Sequence, residues 1–130
     1  MIEKPIAAVE KFHETYQLLS NDSPTVDLPV VIKTLRYELM KEENEEYKEA
    51  VAKNDIVEVA DALGDMLYIL CGTIITHGMQ HKIGEVFEEI QRSNMSKLDA
   101  DGKPIYREDG KVMKSNLYFK PDIKSILDKS

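Results

Sequence analysis

Apolar residues recur at helical spacing along the first 95 residues and lose that period afterwards. Val9, Phe12, Tyr16 and Leu19 predict a helix over about 5–19, with Pro5 suited to its first turn. The run SNDSP, residues 20–24, breaks the pattern. A long second helix is expected from about 28 to 53, with Pro29 near its start. Asn54 and Asp55 are N-cap residues, and Asp55 with Glu58 fits a capping box, so a third helix should begin there and stop at His77-Gly78. Ile83, Val86, Phe87 and Ile90 mark a fourth over about 81–95. Asp101-Gly102 and Asp109-Gly110 are turn dipeptides beside two short strand-like stretches, KPIYRE and KVMKSNLYF. Pro121 precedes a last short helix at about 122–128. The expected fold is all-α: a four-helix core with a C-terminal β-hairpin arm, one domain over residues 1–130.

Acidic residues interrupt this pattern where they should not. On the second helix Leu35, Leu39, Glu42, Glu46 and Ala50 share a stripe less than about 90° wide, with Glu43 at its edge. A face that starts apolar therefore turns acidic midway. On the third helix Glu58, Asp61 and Asp65 fall within about 60° of one another, opposite an apolar face of Ile56, Ala60, Leu63, Leu67, Leu70 and Ile74. Asp65 sits in ALGDMLYILCGTII, where nearly every other direction is apolar, so this turn is expected to be enclosed on all sides. An acidic string such as KEENEEYKEA is ordinarily a solvated face. The matching acids one helix later change that reading, because two antiparallel helices would bring both sets together. Crowded carboxylates need a positive partner. Hard oxygen ligands suit Mg²⁺ or Mn²⁺, and the chain has no Cys/His set for zinc. Magnesium held this way usually completes its shell with water and substrate phosphates, which points to phosphoryl chemistry, with a spare glutamate as general base. Glu45 and Glu49 point elsewhere.

Composition narrows the setting. The net charge of −7 disfavours polymeric nucleic acid and membrane surfaces. Residues 1–90 hold 8 Lys/Arg against 18 Asp/Glu, whereas residues 91–130 hold 9 against 6. An acidic body with a basic tail fits a body that holds cations and a tail that meets an anion; scattered surface charge accounts for it as well. The lone Cys71 allows no intrachain disulfide. The acidic start MIEKPIAAVEKF is unlike a signal peptide, and the near-apolar run over 66–75 is too short to span a bilayer. The expectation is a cytoplasmic protein.

The stretch LMKEENEEYKEAV…DIVEVADALGDMLYIL resembles the EExxE…ExxD signature of the all-α nucleoside triphosphate pyrophosphohydrolases, the MazG-like and phosphoribosyl-ATP pyrophosphohydrolase-like superfamily. EExxE falls on Glu42, Glu43 and Glu46, and ExxD best on Glu58 and Asp61. KFHETY and RSNMSKLDADGKPIYREDGKVMKSNLYFKPD extend the likeness to a MazG-like subgroup with a dUTP-cleaving member. In many relatives a glutamate stands three residues before the aspartate of the LLY-like segment; here that position is Ala62. Either Glu58 with Asp61 is the operative pair and Asp65 an extra ligand, or Asp61 with Asp65 replaces it. The resemblance implies Mg²⁺ or Mn²⁺ dependence, cleavage between the α- and β-phosphates, and a homodimer or homotetramer.

Glu43 or Glu46 is the candidate base, and Glu42, Glu43, Glu46, Glu58, Asp61 and Asp65 are the candidate metal ligands. Lys97, Arg107, Lys111 and Lys114 are natural phosphate contacts: any one of them taken singly reads better as a solubilising charge, but as a group beside SNMSK they favour anion binding. Ser93 and Asn94 offer hydrogen bonds to sugar or phosphate, and Tyr106, Tyr118 and Phe119 offer stacking surfaces. His13 is a candidate for base or phosphate, against the ordinary reading of a structural histidine; His77 and His81 flank a turn. The expected activity is hydrolysis of a nucleoside triphosphate, dUTP or another dNTP, to the monophosphate and pyrophosphate. The alternatives are phosphoribosyl-ATP hydrolysis and a non-catalytic, metal-binding oligomerisation module.

Overall fold

A computed structural model describes residues 2–129. Among them run α1 (Glu3–Thr15), α2 (Val30–Ala52), α3 (Ile56–Thr76), α4 (Ile83–Met95), the strands β1 (Ile105–Tyr106) and β2 (Val112–Met113), and α5 (Ile123–Asp128). The all-α class with a short hairpin is as the periodicity predicts. Contacts divide the chain into two compact units, residues 1–81 and 82–130. Three of the four long helices lie in the first unit; α4 belongs to the second.

In the first unit α3 packs on both α2 and α1. Ile6 and Val9 of α1, Ala50 of α2 and Ala62, Cys71, Ile74 and Ile75 of α3 are buried. The α2–α3 turn is tight because Asn54 takes a left-handed conformation at φ 54° and Asp55 caps the N-terminus of α3. Asp55 Oδ1 accepts from the backbone N–H of Val57 and of Glu58, both at 3.1 Å. The reciprocal half of the expected capping box is not made. Asp55 gives its own N–H to Ala50 O, and Glu58 instead lies 3.9 Å from Lys53 Nζ.

α1 ends at Thr15, earlier than its apolar spacing suggests. Gln17 turns left-handed at φ 57°, and Leu18 N–H closes back on His13 O at 2.8 Å, a Schellman-type end that ejects Leu19 from the helix. The connection from α1 to α2 is stitched along the end of α3. Asn21 N–H donates to Ile75 O, Asn21 Nδ2 to Thr76 O, and Thr25 N–H to His77 O. α3 closes at Gly78, φ +69°, where a Cβ would stand 2.1 Å from Ser23 O. Only glycine fits there.

α3 spans 21 residues at mean hydropathy 1.5, long and apolar enough by those measures to cross a membrane. It packs on α1 and α2 and carries Glu58, Asp61 and Asp65 among its apolar residues. It is also where the structure corrects the expectation of enclosure. Ile56, Leu63, Leu67 and Leu70 remain 76, 50, 43 and 46 % exposed, so the turn that carries Asp65 is not closed on all sides. Within the first unit α3 has α1 and α2 as its helix neighbours, and neither covers this face.

In the second unit α4 and α5 pack together, and the two strands pair antiparallel with Ile105 opposite Met113 and Tyr106 opposite Val112. Buried Ser93 donates its hydroxyl to Phe119 O at 2.8 Å. Glu89 accepts from both Nε and Nη2 of Arg92 and from the backbone N–H of Asp122. Arg92 in turn lies 4.4 Å above the Phe119 ring.

Candidate metal and nucleotide site

Seven residues make two helical turns, so Leu39, Glu43 and Glu46 descend one side of α2 while Tyr68, Ile69 and Asp65 descend the facing side of α3. The short Asn54-Asp55 turn sets the register. Glu43, Glu46 and Asp65 come together, each with a carboxylate oxygen within 4.8 Å of the others. Glu46 is exposed, Glu43 is half-buried and Asp65 is not buried. No ion pair among the described residues reaches any of the three. Two like charges at that separation repel by roughly 3 kcal/mol at an effective dielectric near 20.

Glu43 carries the strain of this arrangement. Its Oε2 is shut off from solvent and has no hydrogen-bond partner. Burial, a hydrogen bond shared with Glu46, and the charges of Glu46, Asp65 and Asp61 push its carboxyl up to about 7. An orphaned oxygen in a triad of acids fits a divalent cation: it needs a positive charge and offers oxygen to hold it.

The remaining predicted acids fall outside the triad. Asp61 is exposed, one turn back on α3, and acts on Glu43 through its charge. Glu42 is exposed and is not a member. Glu58 is occupied near Lys53 at the helix start. The basic and aromatic candidates all belong to the second unit. Arg107 is clamped by Asp109, with Nε 2.9 Å from Oδ1. Lys114 Nζ stands 4.8 Å from the Tyr118 ring centre. Asn94 is exposed and accepts the Lys97 N–H through its backbone carbonyl; Lys111 is exposed and gives its N–H to Asp109.

His13 is 2 % exposed and Arg36 is 9 % exposed, and they meet over Gly72. Both wall a cavity of about 260 Å³ between α1, α2 and α3, with Phe12, Leu35, Leu39 and Tyr68 among its other walls. Phe12 and Tyr68 meet edge to face, ring centres 5.4 Å apart. Sequence reasoning reached His13 but passed over Arg36 and Gly72. A signal was present: Arg36 stands seven residues before Glu43 and Gly72 seven after Asp65, which places each on the face of its acid.

The fold and the site define a class, a helical hydrolase with an acidic helical hairpin. The chain matches the family model described as phosphoribosyl-ATP pyrophosphohydrolase over residues 9–94, and it belongs to that family. This is the superfamily of the MazG-like nucleoside triphosphate pyrophosphohydrolases, so the chain is a pyrophosphohydrolase acting on phosphoric anhydride bonds. A search of curated proteins gives no match.

Proposed function

We propose that this protein hydrolyses a nucleoside triphosphate to a monophosphate and pyrophosphate at the Glu43–Glu46–Asp65 cluster, with Mg²⁺ or Mn²⁺. The observation that supports this best is the orphaned Oε2 of Glu43 inside a carboxylate triad with no positive partner among the described residues. Glu43 and Asp65 would hold the ion, with the Asp61 charge beside them, and exposed Glu46 is left as the general base. Once bound, the cation would neutralise the polyphosphate and polarise the attacked phosphorus.

The chain's own residues do the rest. Glu46, exposed at the rim, takes a proton from water as the water oxygen bonds to the α-phosphorus. The bond from that phosphorus to the bridging oxygen breaks, and pyrophosphate leaves with the electron pair. The cavity walled by His13, Phe12 and Tyr68 lies one turn along the same hairpin and would receive the base. The unpaired apolar face of α3 supports assembly as a homodimer or homotetramer, since an exposed stripe of this kind marks an interface.

The test is a panel of NTPs and dNTPs with Mg²⁺ or Mn²⁺, assayed for pyrophosphate. Release that falls at least about 100-fold in Glu46→Gln, with the fold retained, supports the reading. No release from any nucleotide overturns it. Phosphoribosyl-ATP is a second substrate candidate, favoured by the family's description. It belongs on the same panel, and preference for it would reassign the substrate while keeping the cluster.

A further inference from the structure

The wall of the 260 Å³ cavity holds an arrangement that packing alone does not require. Arg36 is a buried cation with no acidic partner among the described residues. Its Nε donates to Thr73 Oγ1 at 3.1 Å and its Nη2 to Ile69 O at 2.9 Å. Two of its five N–H donors are thereby used and three remain.

His13 is fixed in the complementary state. Its Nδ1 lies 3.1 Å from Leu19 O, with the Ser20 hydroxyl, which can accept as well as donate, at 3.4 Å. A carbonyl only accepts, so Nδ1 carries the proton, and the neutral ring keeps a bare lone pair on Nε2. Burial and the nearby Arg36 charge both lower the proton affinity of the ring, while the Leu19 carbonyl raises it. Gly72 brings the two groups side by side: a Cβ there would stand 2.6 Å from Arg36 Nη2 and 3.0 Å from His13 Nε2. A cationic donor and a neutral acceptor thus share one end of an otherwise largely apolar cavity.

We propose that Arg36 and His13 form a reader for the edge of a nucleobase in which a ring N–H stands beside a carbonyl. Arg36 donates to the carbonyl oxygen, and His13 Nε2 accepts the ring N–H. Uracil, thymine and guanine present that edge. Cytosine and adenine carry a bare ring nitrogen beside an exocyclic amine, which would set lone pair against lone pair and amine against guanidinium. Arg36 lies seven residues from Glu43, about 10 Å along α2, a span suited to a nucleotide with its phosphates at the carboxylates and its base in the cavity. The proposal rests on the nucleotide reading above and adds the base class to it.

Monophosphates keep the test independent of metal and of catalysis. Calorimetric titration of the whole protein with dUMP, dGMP, dCMP, dAMP and N3-methyl-dUMP reads the edge directly. The expected result is at least about tenfold tighter binding of dUMP than of dCMP and N3-methyl-dUMP. Comparable binding of dGMP admits the two-ring members, and weak dGMP confines the class to single rings. In His13→Phe and Gly72→Ala, each checked by thermal melting, the dUMP preference should collapse to within about twofold. N3-methyl-dUMP keeps the test decisive even where a variant fails to fold. Equal binding of dUMP, dCMP and N3-methyl-dUMP by the unaltered protein, a preference for dCMP, or no dUMP binding at millimolar concentration overturns the proposal. Pyrophosphate release on the triphosphate panel judges the reaction separately, so the two can fail independently.

Discussion

Glu43 and Glu46 share a helix and a triad but differ in surroundings, and that difference separates their expected behaviour. Glu43 holds an oxygen that nothing satisfies; Glu46 meets solvent. Neutralising Glu43 should therefore relieve repulsion in the metal-free protein while removing a reason to bind the ion. Glu43→Gln is expected to melt no lower than the parent in chelator, to lack the stabilisation by Mg²⁺ that the proposed site predicts for the parent, and to lose pyrophosphate release. Differential scanning fluorimetry with and without Mg²⁺ checks the first two. A substantial Mg²⁺ shift retained in Glu43→Gln would move the ion elsewhere.

At the scale of elements, two joints are exposed to single changes. Gly78 ends α3 in the left-handed region against the Ser23 backbone. Gly78→Ala must strain φ and displace the loop, and is expected to lower stability by at least about 2 kcal/mol, read as a lower urea midpoint at unchanged m-value. The second joint is Glu89, which ties α4 to the start of α5. Its hydrogen bonds from Arg92 and from the Asp122 backbone pull its carboxyl down to about 2. A depressed carboxylate contributes stability that is present above the unfolded value near 4.3 and lost as pH falls toward 2. Glu89→Gln should thus melt below the parent at about pH 6, with the gap closing as pH falls toward about 2. A gap independent of pH would mean that shape rather than charge holds this joint.

For the whole molecule, the exposed face of α3 carries a prediction about assembly. Leu63, Leu67 and Leu70 form part of a stripe that α1 and α2 leave exposed. Self-association through that stripe predicts a dimer or larger species in light scattering, and Leu67→Glu should shift it toward the monomer. A parent that is already monomeric at high micromolar concentration would leave the stripe without this role.

Much of this was legible in the residues. The 3.6-residue period located the long helices, the Asn54-Asp55 turn, the α2 stripe of Glu43 and Glu46 and the α3 stripe of Asp65, because helix geometry is local. Which acid of α3 meets Glu43 and Glu46 was not, since it depends on how far α3 slides along α2. That register places Asp65 in the triad and leaves Glu58 beside Lys53. The openness around Asp65 was also beyond the pattern, which shows that a face is apolar but not whether a neighbour exists to cover it. Arg36 is the clearest case. A lone arginine on a charged helix reads as solvated, and only tertiary packing against Thr73, Ile69 and Gly72 makes it a buried donor beside His13. Sequence determined which side chains share a face of each helix; the packing of helix on helix decided which faces meet, because that rests on contacts between residues far apart in the chain.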